Sequence, residues 1–148
     1  MLTAITRKVS PAFNKCELTH LTRQPIDIEK AQEQHDAYEM ALRSLGVKVI
    51  SLAAEETLPD SVFVEDTAVV LDEVAVITRP GANSRRSETA SIKNALAPFR
   101  KIRTIQPPAT LDGGDVLVLG RSIYIGRSTR SNLAGIQQMQ ALLADWGY

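Results

Sequence analysis

A single cysteine, Cys16, among 148 residues leaves no internal disulfide framework to hold the chain together. Neither sign of charge is in surplus: Lys plus Arg number 17, Asp plus Glu number 17, and the formal net charge is zero. A polyanion partner draws on a basic excess, so nucleic acid is not expected. No apolar run approaches the ~18 residues of a membrane span, and the opening MLTAITRKVS has no apolar signal-type core. These absences describe a cytoplasmic protein that engages neither nucleic acid nor membrane. What remains is ordinary for a globular chain, with 44% hydrophobic and 23% charged residues in a length that suits one domain.

Residues 27–45 place Ile28, Ala31, Tyr38, Ala41, Leu42 and Leu45 at helical spacing. Asp27 caps the start, after Pro25, and Gly46 ends the helix. Residues 47–53 then read as a strand. The stretch DSVFVEDTAVVLDEVAVITR holds two β-rich runs joined by Asp72-Glu73, the pattern of a hairpin. Residues 84–98 read as a helix with Ile92, Ala95 and Leu96 on one side, and KIRTIQ as a short strand. DVLVLG and SIYIG form a second hairpin around Gly120-Arg121. A third helix over 131–146 carries Leu133, Ile136, Met139, Leu142 and Leu143.

Helix, strand, acidic loop and hairpin therefore occur twice, and the polar landmarks keep step. Arg85 follows Asp66 by 19 residues and Arg130 follows Asp112 by 18; the two aspartates are 46 apart and the two arginines 45. A period of this size marks architectures whose units cannot bury both sheet faces alone and so pack around a common axis. The third helix opens another unit, and the chain stops at Trp146-Gly147-Tyr148 before its strand and hairpin. Residues 1–148 are thus expected to be a portion of a longer protein.

The stretch TLDGGDVLVLG sets Asp112 and Asp115 on either side of two glycines, at the mouth of an apolar strand. A simple hairpin turn needs Asp-Gly once, not a second carboxylate three residues on. If the repeats are related by rotation, Asp60, Glu65, Asp66 and Asp112 converge on one cavity, with Arg85 and Arg130 beside them. Crowded carboxylates repel, so such a group holds a cation. Carboxylates pair two-pronged with a guanidinium, and arginines at a rim do the same for a ligand carboxylate. Both together select a zwitterionic amino acid with a guanidinium tail. Magnesium or calcium on the carboxylates is an open alternative, as are hairpin caps with surface ion pairs. Zinc is disfavoured, because His20 and His35 fall outside the motifs.

DSVFVEDTAVV, ITRPGANSRRSE, TLDGGDVL and RSTRSN, in that order, resemble the dimethylarginine dimethylaminohydrolases of the amidinotransferase-like guanidine-modifying superfamily. The likeness runs from about residue 18 to the end. It implies an α/β fold, a five-bladed propeller of ββαβ units of which this chain holds about two and the start of a third. It also implies hydrolysis of N-methylated arginine to citrulline and a methylamine, with a cysteine nucleophile, a histidine acid/base, no cofactor and no metal. By position, Asp66 would hold the guanidinium and Asp112 would face the reacting centre and orient the histidine. Arg85 and Arg130 would grip the α-carboxylate, Asp60 the α-amino group, and Glu65 joins the substrate residues. Leu18 would sit in a flexible lid over 10–25 and close on the ligand by its backbone. Asp115 is read as a turn residue. The family's histidine lies past the third helix and its cysteine near the C-terminus, so neither is matched here. Cys16, His20 and His35 match neither role. The chain alone is therefore expected to be inactive, and to associate with its missing portion or with a second copy. The other readings are a non-catalytic guanidino-amino-acid binding module, or another guanidine-modifying enzyme such as an arginine deiminase or amidinotransferase.

Overall fold

The structure is a computed structural model that describes residues 2–18 and 21–148. It divides into two compact units, Met1–Val64 and Glu65–Tyr148.

In the first unit, β1 (Thr3–Arg7) and β2 (Lys48–Leu52) pair in parallel, Thr3 opposite Lys48 and Arg7 opposite Leu52. Parallel neighbours need a crossover, and α1 (Ile28–Ser44) supplies it. Asp27 caps α1 by accepting from the Lys30 N–H at 3.0 Å, and Gly46 leaves it at φ +79°. The face α1 buries is not the expected one. Tyr38, Ala41 and Leu45 are exposed, and the buried centre of the helix is Glu39. Strand β1 explains the difference, because it turns polar side chains inward. Thr6 Oγ1 donates to Glu39 Oε1 at 2.6 Å, and Arg7 donates to the Ala53 carbonyl and pairs with Glu55.

In the second unit, β3 (Ala68–Val70) and β4 (Val74–Ile77) form the expected hairpin around Asp72-Glu73. Helix α2 (Thr89–Leu96) crosses over, and β5 (Lys101–Thr104) returns parallel to β4. Every side chain of β4 is buried, the mark of a central strand covered on both faces. Val74 and Val76 join Val69, Leu71, Ile105, Leu111, Met139 and Leu143 in the core. Fully burying each such aliphatic side chain contributes ~1.5–3 kcal/mol. A second hairpin, β6 (Val116–Leu119) with β7 (Ser122–Ile125), turns at Gly120-Arg121 and leads into α3 (Leu133–Leu143). Asn132 caps α3 through the Gly135 N–H at 2.8 Å. The order ββαβ is thus complete once and begins again. Among the described residues no helix is long and apolar enough to cross a membrane.

Two expected elements differ. Residues 62–66, read as the first half of a hairpin strand, lead into a 3-10 turn over Val64–Thr67, and β3 starts only at Ala68. The helix expected over 84–98 begins as a 3-10 segment, Asn83–Glu88, before α2.

Candidate functional site

The 3-10 turn before β3 presents Glu65 and Asp66 side by side. Thr78, just past β4, fixes its backbone: the Thr78 N–H donates to the Thr67 carbonyl and its hydroxyl to that of Asp66. Both Asp66 oxygens are engaged. Oδ1 accepts from the Gly114 N–H at 3.1 Å and Oδ2 from Arg85 Nη1 at 2.5 Å. The other edge of the Arg85 guanidinium lies on Glu88, with Nη2 to Oε2 at 2.9 Å and Nε to both oxygens at 3.2 and 3.3 Å. Arg85 and Glu88 are both buried. Burial alone would lower the arginine's pKa, but the hydrogen bonds it donates to Glu88 and Asp66 outweigh it, so the guanidinium stays charged.

The second acidic loop lies against the first. A Cβ on Gly113 would stand 2.0 Å from the Glu65 carbonyl oxygen, and one on Gly114 2.5 Å from Asp66 Oδ1. The two glycines of TLDGGDVL therefore admit a neighbouring loop. Asp112 is 1% exposed. Its Oδ1 accepts from the Gly81 N–H at 2.9 Å, while Oδ2 has no hydrogen-bond partner among the described residues. Among the described residues the nearest cation is Arg130 Nε, 3.6 Å from Oδ2, on a half-exposed side chain. Lost solvation pushes the Asp112 carboxyl up, and the Asp66 charge adds to it against the Gly81 N–H and the arginines. Burial likewise raises Glu65. Asp115 accepts from the Ser128 and Ser131 hydroxyls at 2.7 and 2.6 Å, a local turn role.

Glu65, Asp66, Asp112, Arg85 and Arg130 thus meet around two adjoining loops of one unit. Carboxylates outnumber arginines there, which suits a cationic ligand. Sequence reasoning missed Glu88, although Arg85-x-x-Glu88 at i,i+3 was its available signal. Asp60 lies in the first unit, buried, with both oxygens accepting from the Glu17 N–H. Leu18 is exposed, on a segment closed at its base by Asn14, whose side-chain amide exchanges two hydrogen bonds with the Ile26 backbone. Arg23 ties the same segment through the Asn14 and Cys16 carbonyls. Cys16 is buried, and His20 lies outside the described residues. His35 sits on α1 with Nδ1 3.7 Å from Glu39 Oε1. Among the described residues no three acidic, histidine or cysteine side chains are placed to hold a metal ion. A separate groove of about 460 Å³ beside β7 and α3, lined by Ile123, Tyr124, Met139 and Tyr148, includes none of the site residues.

The profile of the family described as N,N dimethylarginine dimethylhydrolase, eukaryotic, matches residues 10–148. The chain belongs to the dimethylarginine dimethylaminohydrolase family. It is 45% identical over 145 residues to the enzyme of that name from Streptomyces coelicolor, covering 97% of this chain and 56% of that one. A variant of the Pseudomonas aeruginosa dimethylarginine dimethylaminohydrolase, solved in complex with citrulline, superposes with a TM-score of 0.94 at 39% identity, over 99% of this chain and 58% of that one. The family's α/β fold extends to SxtG, an amidinotransferase from Microseira wollei, at a TM-score of 0.70 and 17% identity over 83% of this chain and 48% of that one. The chain spans a little over half the length of these two dimethylarginine dimethylaminohydrolases.

Proposed function

We propose that this chain supplies the guanidinium-binding half of a dimethylarginine dimethylaminohydrolase that converts N-methylated arginine to citrulline and a methylamine in the cytoplasm. The carrying observation is the pair of acidic loops that meet at Asp66 and Gly114, with the unpartnered Oδ2 of Asp112 beside them. Asp66 takes the ligand's guanidinium N–H groups. Asp112 Oδ2, a buried acceptor without a donor, is the natural partner for an imidazole N–H or for the guanidinium itself. Arg130, half exposed, is the more reachable grip for the α-carboxylate, since Arg85 is already held by Asp66 and Glu88. The family positions give Asp60 the α-amino group, Glu65 a place among the substrate residues and Leu18 the lid.

In the reaction a thiolate attacks the guanidinium carbon, the amine leaves with a proton, and water hydrolyses the covalent intermediate. The carboxylates of this chain hold the cation in place and stabilise it throughout. The reading also makes residues 1–148 part of a single domain of ββαβ repeats, which associates with the remainder of that domain or with a second copy.

Calorimetric titration of the protein with dimethylarginine tests this. Removing one partner of a desolvated charge pair costs ~3–5 kcal/mol. Asp66→Asn should therefore weaken binding at least ~100-fold, each decade being ~1.4 kcal/mol. Asp72→Asn, in the exposed turn of the first hairpin, should leave it unchanged. Equal affinities in the two variants would make Asp66 a turn cap and end the proposal.

A further inference from the structure

We propose that Glu88 is a positioning residue, which holds the Arg85 guanidinium by its Nε edge so that Arg85 Nη1 fixes the Asp66 carboxylate. The inference rests on the reading that Asp66 receives the ligand's guanidinium, and it adds a residue that touches no ligand itself.

The local backbone sets up the contact. Arg85 and Glu88 lie three apart in a 3-10 segment, Asn83–Glu88, where positions i and i+3 eclipse one another. The Glu88 carboxylate therefore meets the Nε and Nη2 side of the guanidinium, at 3.2 to 3.3 Å and 2.9 Å. The guanidinium is planar and rigid, so holding one edge orients the other. That other edge delivers Nη1 to Asp66 Oδ2 at 2.5 Å, while the Gly114 N–H holds Oδ1. Asp66 thus has its plane set from both oxygens, and one of the two anchors depends on Glu88.

Charge acts in the same direction. Arg85 between two carboxylates leaves the trio with a net negative charge, so Asp66 keeps attraction to spare for a second guanidinium. Neutralising Glu88 would concentrate Arg85 on Asp66 and weaken its pull on the ligand. The pair is buried, with side-chain exposures of 6% and 2%, so water screens little of this.

The test is a double-mutant cycle on affinity for dimethylarginine. Glu88→Gln should weaken binding tenfold or more in the unsubstituted protein and less than twofold in an Asp66→Asn background, because its effect passes through Asp66. The same factor in both backgrounds would show a merely structural role and overturn the proposal. If the unsubstituted protein does not bind dimethylarginine, the substrate reading fails on its own. The cycle is then read on the urea unfolding equilibrium, where tenfold coupling supports the Glu88 link and additivity refutes it. Should the variants not fold, the exchange of the Arg85 Nε–H in the unsubstituted protein decides. Exchange at least 100-fold slower than in free arginine is expected, and exchange at the free rate would overturn the link.

Discussion

Replacing Gly113 by alanine probes the contact on which the site depends. The added Cβ would stand 2.0 Å from the Glu65 carbonyl oxygen, where real Cβ atoms essentially never come closer than 3.0 Å. One loop must therefore move by about 1 Å, and the obstacle is backbone, with the Ala68 carbonyl oxygen at 3.3 Å limiting escape. Overpacking of this kind costs ~1–3 kcal/mol. The shift also pulls the Gly114 N–H off Asp66, a charge-assisted bond of ~1.5–3 kcal/mol. Reduced freedom of the unfolded chain returns ~0.4–1 kcal/mol. The net loss is about 2–5 kcal/mol, or roughly 5–15 °C in melting temperature for a chain of this size. Thermal unfolding followed by circular dichroism reads it directly. Gly126→Ala is the control, because its added Cβ would meet the Asp115 carbonyl oxygen at 3.8 Å, an ordinary contact. Melting temperatures of the two variants within about 2 °C of each other would refute the close approach of the loops.

Two further outcomes concern buried carboxylates of opposite behaviour. Burial pushes Glu39 up, but hydrogen bonds from Thr6, Ser51 and Arg43 outweigh it and hold the carboxyl below its ordinary 4.5. Its stabilisation is complete above that value and lost as pH falls through the folded-state pKa, so Thr6→Val should cost ~1.5–3 kcal/mol at pH 7 and less near pH 3, by urea midpoints. Asp112 runs the other way, since burial raises it above its ordinary 3.8 and the folded state binds the proton more tightly. Ionised Asp112 therefore lowers stability as pH rises from about 4 through its folded-state pKa, and Asp112→Asn should flatten that decline in urea midpoints between about pH 4 and pH 7.

Where apolar side chains line one face or a turn residue has one mechanical job, the sequence was readable. Both hairpins, α3 and the ends of α1 follow from such signals. Strand β1 left no apolar alternation to find, because the side chains it buries are Thr6 and Arg7. The same polar interior misdirects the stripe of α1, whose buried centre is Glu39. Residues 62–64 have strand propensity, yet the loop they enter carries the close contact with Gly113, and tertiary packing decides its shape. The acidic and basic landmarks were legible by their spacing. Their ion pairing was not, because spacing does not say that Arg85 spends its fork on Glu88 and Asp66.

The bond from Gly114 to Asp66 spans 48 positions, whereas each hairpin ladder closes over a two-residue turn. Closing the longer loop costs about 2 kcal/mol more chain entropy, and it gathers carboxylates that repel until Arg85 and Arg130 arrive. The hairpins should accordingly form early and the acidic cluster late in refolding. A ligand that needs the assembled cluster would then leave the folding rate nearly unchanged and slow unfolding instead. Binding would act as a latch on a fold already made.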